Sequence, residues 1–165
     1  MISKKVCMIG AFSVGKSALV GRFVHSIFSD QYLSTVGVKI SKKTISLDAE
    51  DVTMVLWDME GKDDFADVHM SYLRGAMGFF AVADGTRKET LIMALHLRKL
   101  ARETAGEVPS IILINKADME EDWEITDDQL ASLEVSGIRI IKTSAKTGHG
   151  VEEAFTALAN AMLKD

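Results

Sequence analysis

The chain has 165 residues, enough for one domain with a full core that needs neither metal nor disulfide staples. Its 24 acidic residues against 19 Lys and Arg leave a net charge of −5, and no run of five or six basic residues occurs, which argues against a nucleic-acid partner and requires any phosphate to be held locally. Cys7 is alone, so no internal disulfide can form, and the N-terminal apolar run is too short for a signal peptide or a membrane span; both features fit a cytoplasmic protein.

Val6, Cys7, Met8 and Ile9 form an apolar stretch that stops at Gly10, and a helical pattern (Ala18, Leu19, Val20, Phe23, Val24) begins directly after Ser17. A strand, a loop and a helix are predicted, the loop being GAFSVGKS at residues 10–17. With Gly10 and Gly15 in it, such a loop turns its backbone N–H groups onto an anion, and the helix start adds its positive dipole end. Lys16 can neutralise β- and γ-phosphate charge, and the Ser17 hydroxyl can ligate magnesium.

Residues 36–46 alternate loosely and are β-branched, residues 48–50 read as a turn and residues 52–57 as a second β-type run, together a hairpin. A polar segment follows Asp58 and Gly61, and residues 77–83 are the next strand. Thr86 with Glu89 reads as a capping box, opening a helix with Leu91, Ala94, Leu95, Leu97 and Leu100 on its apolar face. Pro109 precedes a strand at 110–114, and residues 119–124 read as an exposed acidic loop in which Trp123 could anchor a partner. Thr126 with Gln129 is a second capping box, opening a helix to about Leu133; residues 138–141 are the last strand and residues 151–163 the last helix.

Strands alternating with helices after an early hairpin predict an α/β fold, a mostly parallel sheet covered on both faces with one antiparallel edge. Right-handed crossovers bring the carboxyl ends of the parallel strands to one rim. The loops there carry residues 10–17, Asp58, residues 115–118 and residues 144–146. Asp58 ends its strand where a carboxylate can hold magnesium through water, and Gly61 lets a backbone amide approach a terminal phosphate. Asn115, Lys116, Ala117 and Asp118 follow another strand. A carboxylate at Asp118 accepts two hydrogen bonds, matching the N1 and 2-amino donors of guanine, a donor pair that adenine lacks. Lys116 can lay its stem over the base, and Ala145 can offer its backbone amide to the guanine carbonyl.

These segments, with Thr35 and Asp58-Met59-Glu60-Gly61, resemble the five signature motifs of the Ras superfamily of small GTPases, over about residues 4–163. Residues 30–38, Trp57-Asp58 and Ser71-Tyr72-Leu73-Arg74-Gly75-Ala76 look most like its Rab branch. The resemblance implies the P-loop NTPase, small GTPase fold: one G domain over residues 1–165, with a six-stranded mostly parallel sheet, one antiparallel edge strand and helices on both faces. It implies a switch cycling between GTP and GDP. Gly10, Ala11, Phe12, Ser13, Val14, Gly15, Lys16, Ser17 and Ala18 would cradle the phosphates. Ser17, Thr35 and Asp58 would hold Mg2+, Phe28 and Tyr32 would cover the base and phosphates, and Asn115, Lys116, Asp118, Ser144, Ala145 and Lys146 would hold the guanine. Lys16, Thr35, Gly61 and Lys62 would surround the reacting γ-phosphate. Segments around Thr35 and from Asp58 to about Leu73 would be the switches, read by an exchange factor, an activating protein and effectors; a monomer is expected.

Three departures qualify that reading. Lys62 stands where the family places a water-orienting Gln; a charged Lys donates but cannot accept. It is a solvated lysine that leaves hydrolysis slow, an ammonium that supplies transition-state charge in cis, or a partner-binding residue, while Asp63, Asp64 and His69 read as solvated. Phe12 replaces a small residue beside the γ-phosphate. No Cys lies near the C-terminus, so no direct lipid anchor is expected; a soluble protein, a prokaryotic relative among the possibilities, and a chain cut before its tail both remain open. The alternative function is a GTP-binding module with little intrinsic hydrolysis; an ATP-dependent P-loop kinase is disfavoured by Asp118.

Overall fold

The computed structural model describes residues 2–25, 38–59 and 70–164. Phe28, Tyr32, Thr35, Gly61 and Lys62, with Asp63, Asp64 and His69, lie outside the described residues. The strands β1 (Ile2–Gly10), β2 (Lys39–Ser46), β3 (Asp51–Asp58), β4 (Gly78–Asp84), β5 (Ser110–Asn115) and β6 (Ile140–Lys142) form one sheet in the order β2-β3-β1-β4-β5-β6. Only the β2–β3 pair is antiparallel, Lys39 opposite Asp58 through Ser46 opposite Asp51, which gives the expected antiparallel edge.

β1 begins four residues before the apolar stretch that marks it, and its pairing explains why. Residues Ile2 to Lys5 pair only with β3, whereas Val6 to Gly10 pair with β3 or β4 or both. Polar Ser3, Lys4 and Lys5 therefore occupy the half with an open side, and the apolar residues fill the half that is covered. β4, in the middle, is buried along its whole length, as its continuous apolar run requires.

Helices α1 (Lys16–His25) and α4 (Val151–Leu163) cover one face, and α2 (Lys88–Ala105) and α3 (Asp127–Val135) the other. Alternate strand residues divide accordingly. Val6, Met8, Phe80 and Val82 pack with Phe23 and Phe155, whose rings stack 3.9 Å apart. Cys7, Ile9, Phe79 and Ala81 pack with Leu91, Ala94, Leu97 and Leu130. With both faces covered, each central strand contributes to two cores, and burial of its side chains stabilises the sheet at roughly 25 cal/mol per Å2 of apolar surface.

Three local expectations need correction. The Thr86–Glu89 capping box does not form: α2 starts after Arg87 without a side-chain cap, because the Thr86 hydroxyl donates to Asp84 at 2.7 Å instead. The N–H of Lys88 is satisfied by Glu124, 36 positions away, at 2.9 Å. The last strand starts two residues later than its apolar pattern, since the N–H of Ile138 still bonds to Leu133 O in the turn ending α3, with Gly137 at φ 91°. Residues Ala117–Asp122 form two short 3-10 turns with a kink at Met119 rather than an open loop, and Trp123 after them is half-buried, so it is not a protruding anchor. The Thr126–Gln129 box, in contrast, makes both of its bonds.

Candidate functional site

Gly10, Asp58, Asp84 and Asn115 end four neighbouring strands and so stand along one rim of the sheet. The loop from Gly10 to Ser17 turns sharply there. A Cβ on Gly10 would lie 2.5 Å from the Val82 carbonyl oxygen, and one on Gly15, at φ 103°, would lie 2.2 Å from the Asn115 side-chain nitrogen. Ser13 takes a left-handed φ of 64°, as a loop folded tightly around an anion demands.

The Lys16 side chain is buried, its ammonium donating to the carbonyls of Gly10 and Ala11, both at 3.1 Å. Lys16 thereby ties the loop to its own start and places a positive charge beside the N-terminus of α1. That end carries no acidic residue in its own first turn. The Ser17 hydroxyl donates to a carboxylate oxygen of Asp58, and both residues are buried. A hydroxyl and a carboxylate are hard oxygen donors, a set that suits magnesium completed by phosphate oxygens and water. Among the described residues no group of three or more His, Cys, Asp or Glu could hold a metal by itself. Phe12 is 59% exposed at the loop tip.

Asn115 joins the two halves of the site. Its side-chain nitrogen donates to Val14 O at 2.9 Å, and its oxygen accepts from the Thr143 hydroxyl at 3.2 Å and the Ala145 N–H at 3.3 Å. The Ala145 amide expected to face a base carbonyl is thus already shared with Asn115. Lys116, at φ 73°, sends its ammonium to Asp84 at 2.8 Å, stretching its stem across the rim. The exposed Asp118 accepts from the Ser144 hydroxyl at 2.7 Å, and that hydroxyl also accepts the Thr147 N–H. Ser144 therefore acts through its side chain, fixing a carboxylate, while Lys146 is exposed and contributes its carbonyl to the local frame.

Sequence reading missed three residues at this site. Asp84 is fully buried and accepts from Lys116, Arg87 and both the N–H and the hydroxyl of Thr86. Burial alone would push its carboxyl up, but these hydrogen bonds outweigh it and hold Asp84 below the usual carboxylate range. Arg87 continues to the carbonyl of Phe12 at 3.0 Å, linking Asp84 to the phosphate loop. Arg22, from the last turn of α1, donates to the carbonyls of Ala145, at 2.7 Å, and Lys146. Asp84 carries the one legible signal, a carboxylate ending a strand as Asp58 does.

The Ras family model matches residues 5–164. Human Ras-related protein Rab-8B is 33% identical over 157 residues, 94% of this chain and 76% of its own length. Ras-related protein Rab-13 of Bos taurus is 34% identical over 161 residues, covering 96% and 79%. Ras-related protein Rab-1 of Theileria parva is 34% identical over 164 residues, covering 98% and 74%. With a six-stranded sheet of one antiparallel edge, a buried phosphate-loop lysine and these relatives, the chain belongs to the Ras family of small GTPases and is Rab-like within it.

Proposed function

We propose that the chain is a magnesium-dependent guanine-nucleotide switch that hydrolyses GTP slowly on its own. The observation that carries this reading is the buried contact of Ser17 with Asp58. It joins the phosphate loop to the end of β3, from which the chain runs on into residues 60–69, so an ion held there would link phosphate occupancy to that segment. Ser17 and Asp58 would hold magnesium together with Thr35, and the ion, when bound, would neutralise phosphate charge. Lys16 adds a fixed cation, the α1 N-terminus adds N–H donors, and Asp118 with Lys116 selects guanine.

An exchange factor, an activating protein and effectors would read the bound nucleotide, in the cytoplasm, through the segments around Thr35 and from Asp58 to about Leu73. A second reading, a GTP-binding module that scarcely turns over, is favoured by Phe12, whose exposed ring occupies the loop tip, and by Lys62.

The test is to release and identify the nucleotide that copurifies, then follow single-turnover GTP hydrolysis with and without magnesium. GDP, and magnesium-dependent turnover over hours, support the switch; GTP that persists supports the module. Tight ATP binding without a GTP preference overturns both. Lys62→Gln and Lys62→Ala separate the roles of that lysine: unchanged or faster rates in both eliminate a charge supplied in cis.

A further inference from the structure

Trp123 belongs to none of the motifs above, yet it packs against the loop that carries residues 115–118. A Cβ on Gly85 would lie 2.0 Å from its ring, so the indole occupies space that only glycine leaves open at the end of β4. The Gly85 carbonyl accepts the N–H groups of Glu124, at 2.8 Å, and Ile125, at 3.3 Å, pinning the segment beyond the ring to the same residue. On the outer side the Lys142 ammonium lies 5.4 Å from the ring centre and is itself held by Asp127 and Glu120. The ring is thus clamped, and its nitrogen points at one acceptor: Nε1 donates to the carbonyl of Lys116 at 2.9 Å.

That carbonyl belongs to a lysine at φ 73°, ψ 40°, a conformation an L-residue keeps only where its surroundings fix it. Its orientation sets the direction of the next peptides, and hence where the Asp118 carboxylate stands opposite Ser144. We propose that Trp123 is a positioning residue for base recognition: its indole N–H holds Lys116 in the left-handed conformation and thereby aims Asp118 at the N1 and 2-amino donors of guanine. This rests on the reading of residues 115–118 as the guanine site.

The test compares release of GDP with release of inosine diphosphate, which lacks the 2-amino group and therefore one of the two donors that Asp118 would meet. Release of fluorescently labelled GDP, IDP and ADP from the full chain is followed by displacement with excess unlabelled nucleotide. Trp123→Phe keeps a smaller ring near Gly85 and removes the donor. GDP release should accelerate about fivefold, the effect of one net hydrogen bond, while IDP release changes less, so that the GDP-over-IDP preference falls by about threefold. Gly85→Ala keeps the donor but displaces the ring; it should lose the preference likewise and serves if Trp123→Phe does not fold. Equal acceleration of GDP and IDP release, or no acceleration, overturns the proposal. If the unaltered chain holds GDP no better than ADP, the guanine reading fails, and the proposal with it.

Discussion

The side chain of Asn115 fills the space that a Cβ on Gly15 would need: its nitrogen lies 2.2 Å from that position, and it donates to Val14 O at 2.9 Å. The loop of residues 10–17 and the loop after β5 are therefore built against each other, 101 positions apart in sequence. Nucleotide affinity should depend on this contact even though Asn115 makes it with protein.

A double-mutant cycle tests the contact. Asn115→Ala leaves the Val14 carbonyl, the Thr143 hydroxyl and the Ala145 N–H without their partner, and should cost about 2 kcal/mol, or roughly 4–8 °C in melting temperature. Gly15→Ala forces a side chain at φ 103° into the Asn115 amide and should cost at least as much. Because part of that cost is the clash with Asn115 itself, the double variant should lose less than the sum by about 1 kcal/mol. Strict additivity in denaturant unfolding would show that the two loops do not meet.

Asp84 predicts an acid-sensitive stability. Its carboxyl is held below the ordinary value, so the folded state favours the ionised form. The stabilisation is present above the unfolded pKa of about 4 and is lost as pH falls through the lower folded value. Asp84→Asn removes that dependence and takes the charge from the contacts with Lys116 and Arg87, whose partly exposed side chains are screened by water, at a cost of about 1–2 kcal/mol at neutral pH. The gap between the two proteins in melting temperature should therefore be full at pH 7 and shrink below about pH 4. A gap independent of pH would remove Asp84 from its role as ionised hub.

The contiguous motifs were legible because their chemistry is local. Gly10, Gly15, Lys16 and Ser17 lie within eight residues, and Asn115 to Asp118 within four, so spacing alone marks them as candidates. The supporting residues were not, because each acts across the fold. Arg22 meets Ala145 at a separation of 123 positions, and nothing near Arg22 in the chain marks it. The Thr86–Glu89 pattern shows the same limit from the other side. Its spacing suits a capping box, but a buried carboxylate two positions earlier, at Asp84, competes for Thr86 and wins. Likewise Trp123 reads as an acidic-loop tryptophan until Gly85 is seen beneath it.

Arg22 should be intolerant of lysine. Nε and Nη2 of its guanidinium reach two successive carbonyls, those of Ala145 and Lys146, a fork that an ammonium cannot reproduce. Arg22→Lys is expected to release GDP several-fold faster while changing stability by less than about 1 kcal/mol, since the side chain is only partly buried. Release at the original rate would mean that residues 144–146 hold their place without it.

Cys7 should be inert in the folded protein although it is the only thiol. It lies in β1 with no exposure, against the face covered by α2 and α3, and its sulfur is 3.8 Å from the Tyr72 carbonyl. Burial pushes the thiol from 9.0 up to about 12, with Lys5 offsetting only part of the effect. The reactive species is the thiolate, so at pH 8 roughly one thiol in ten would be ionised in an ordinary site and about one in ten thousand here. Alkylation by iodoacetamide should therefore be slowed about a thousandfold by ionisation alone, and further by lack of access. In the native state labelling then proceeds through opening of the β1–β4 region, and its rate should track global stability across the Asn115 and Asp84 variants. Stoichiometric labelling of the native chain within minutes, at a rate those variants leave unchanged, would mean that Cys7 is reached without unfolding and that this half of the core is open.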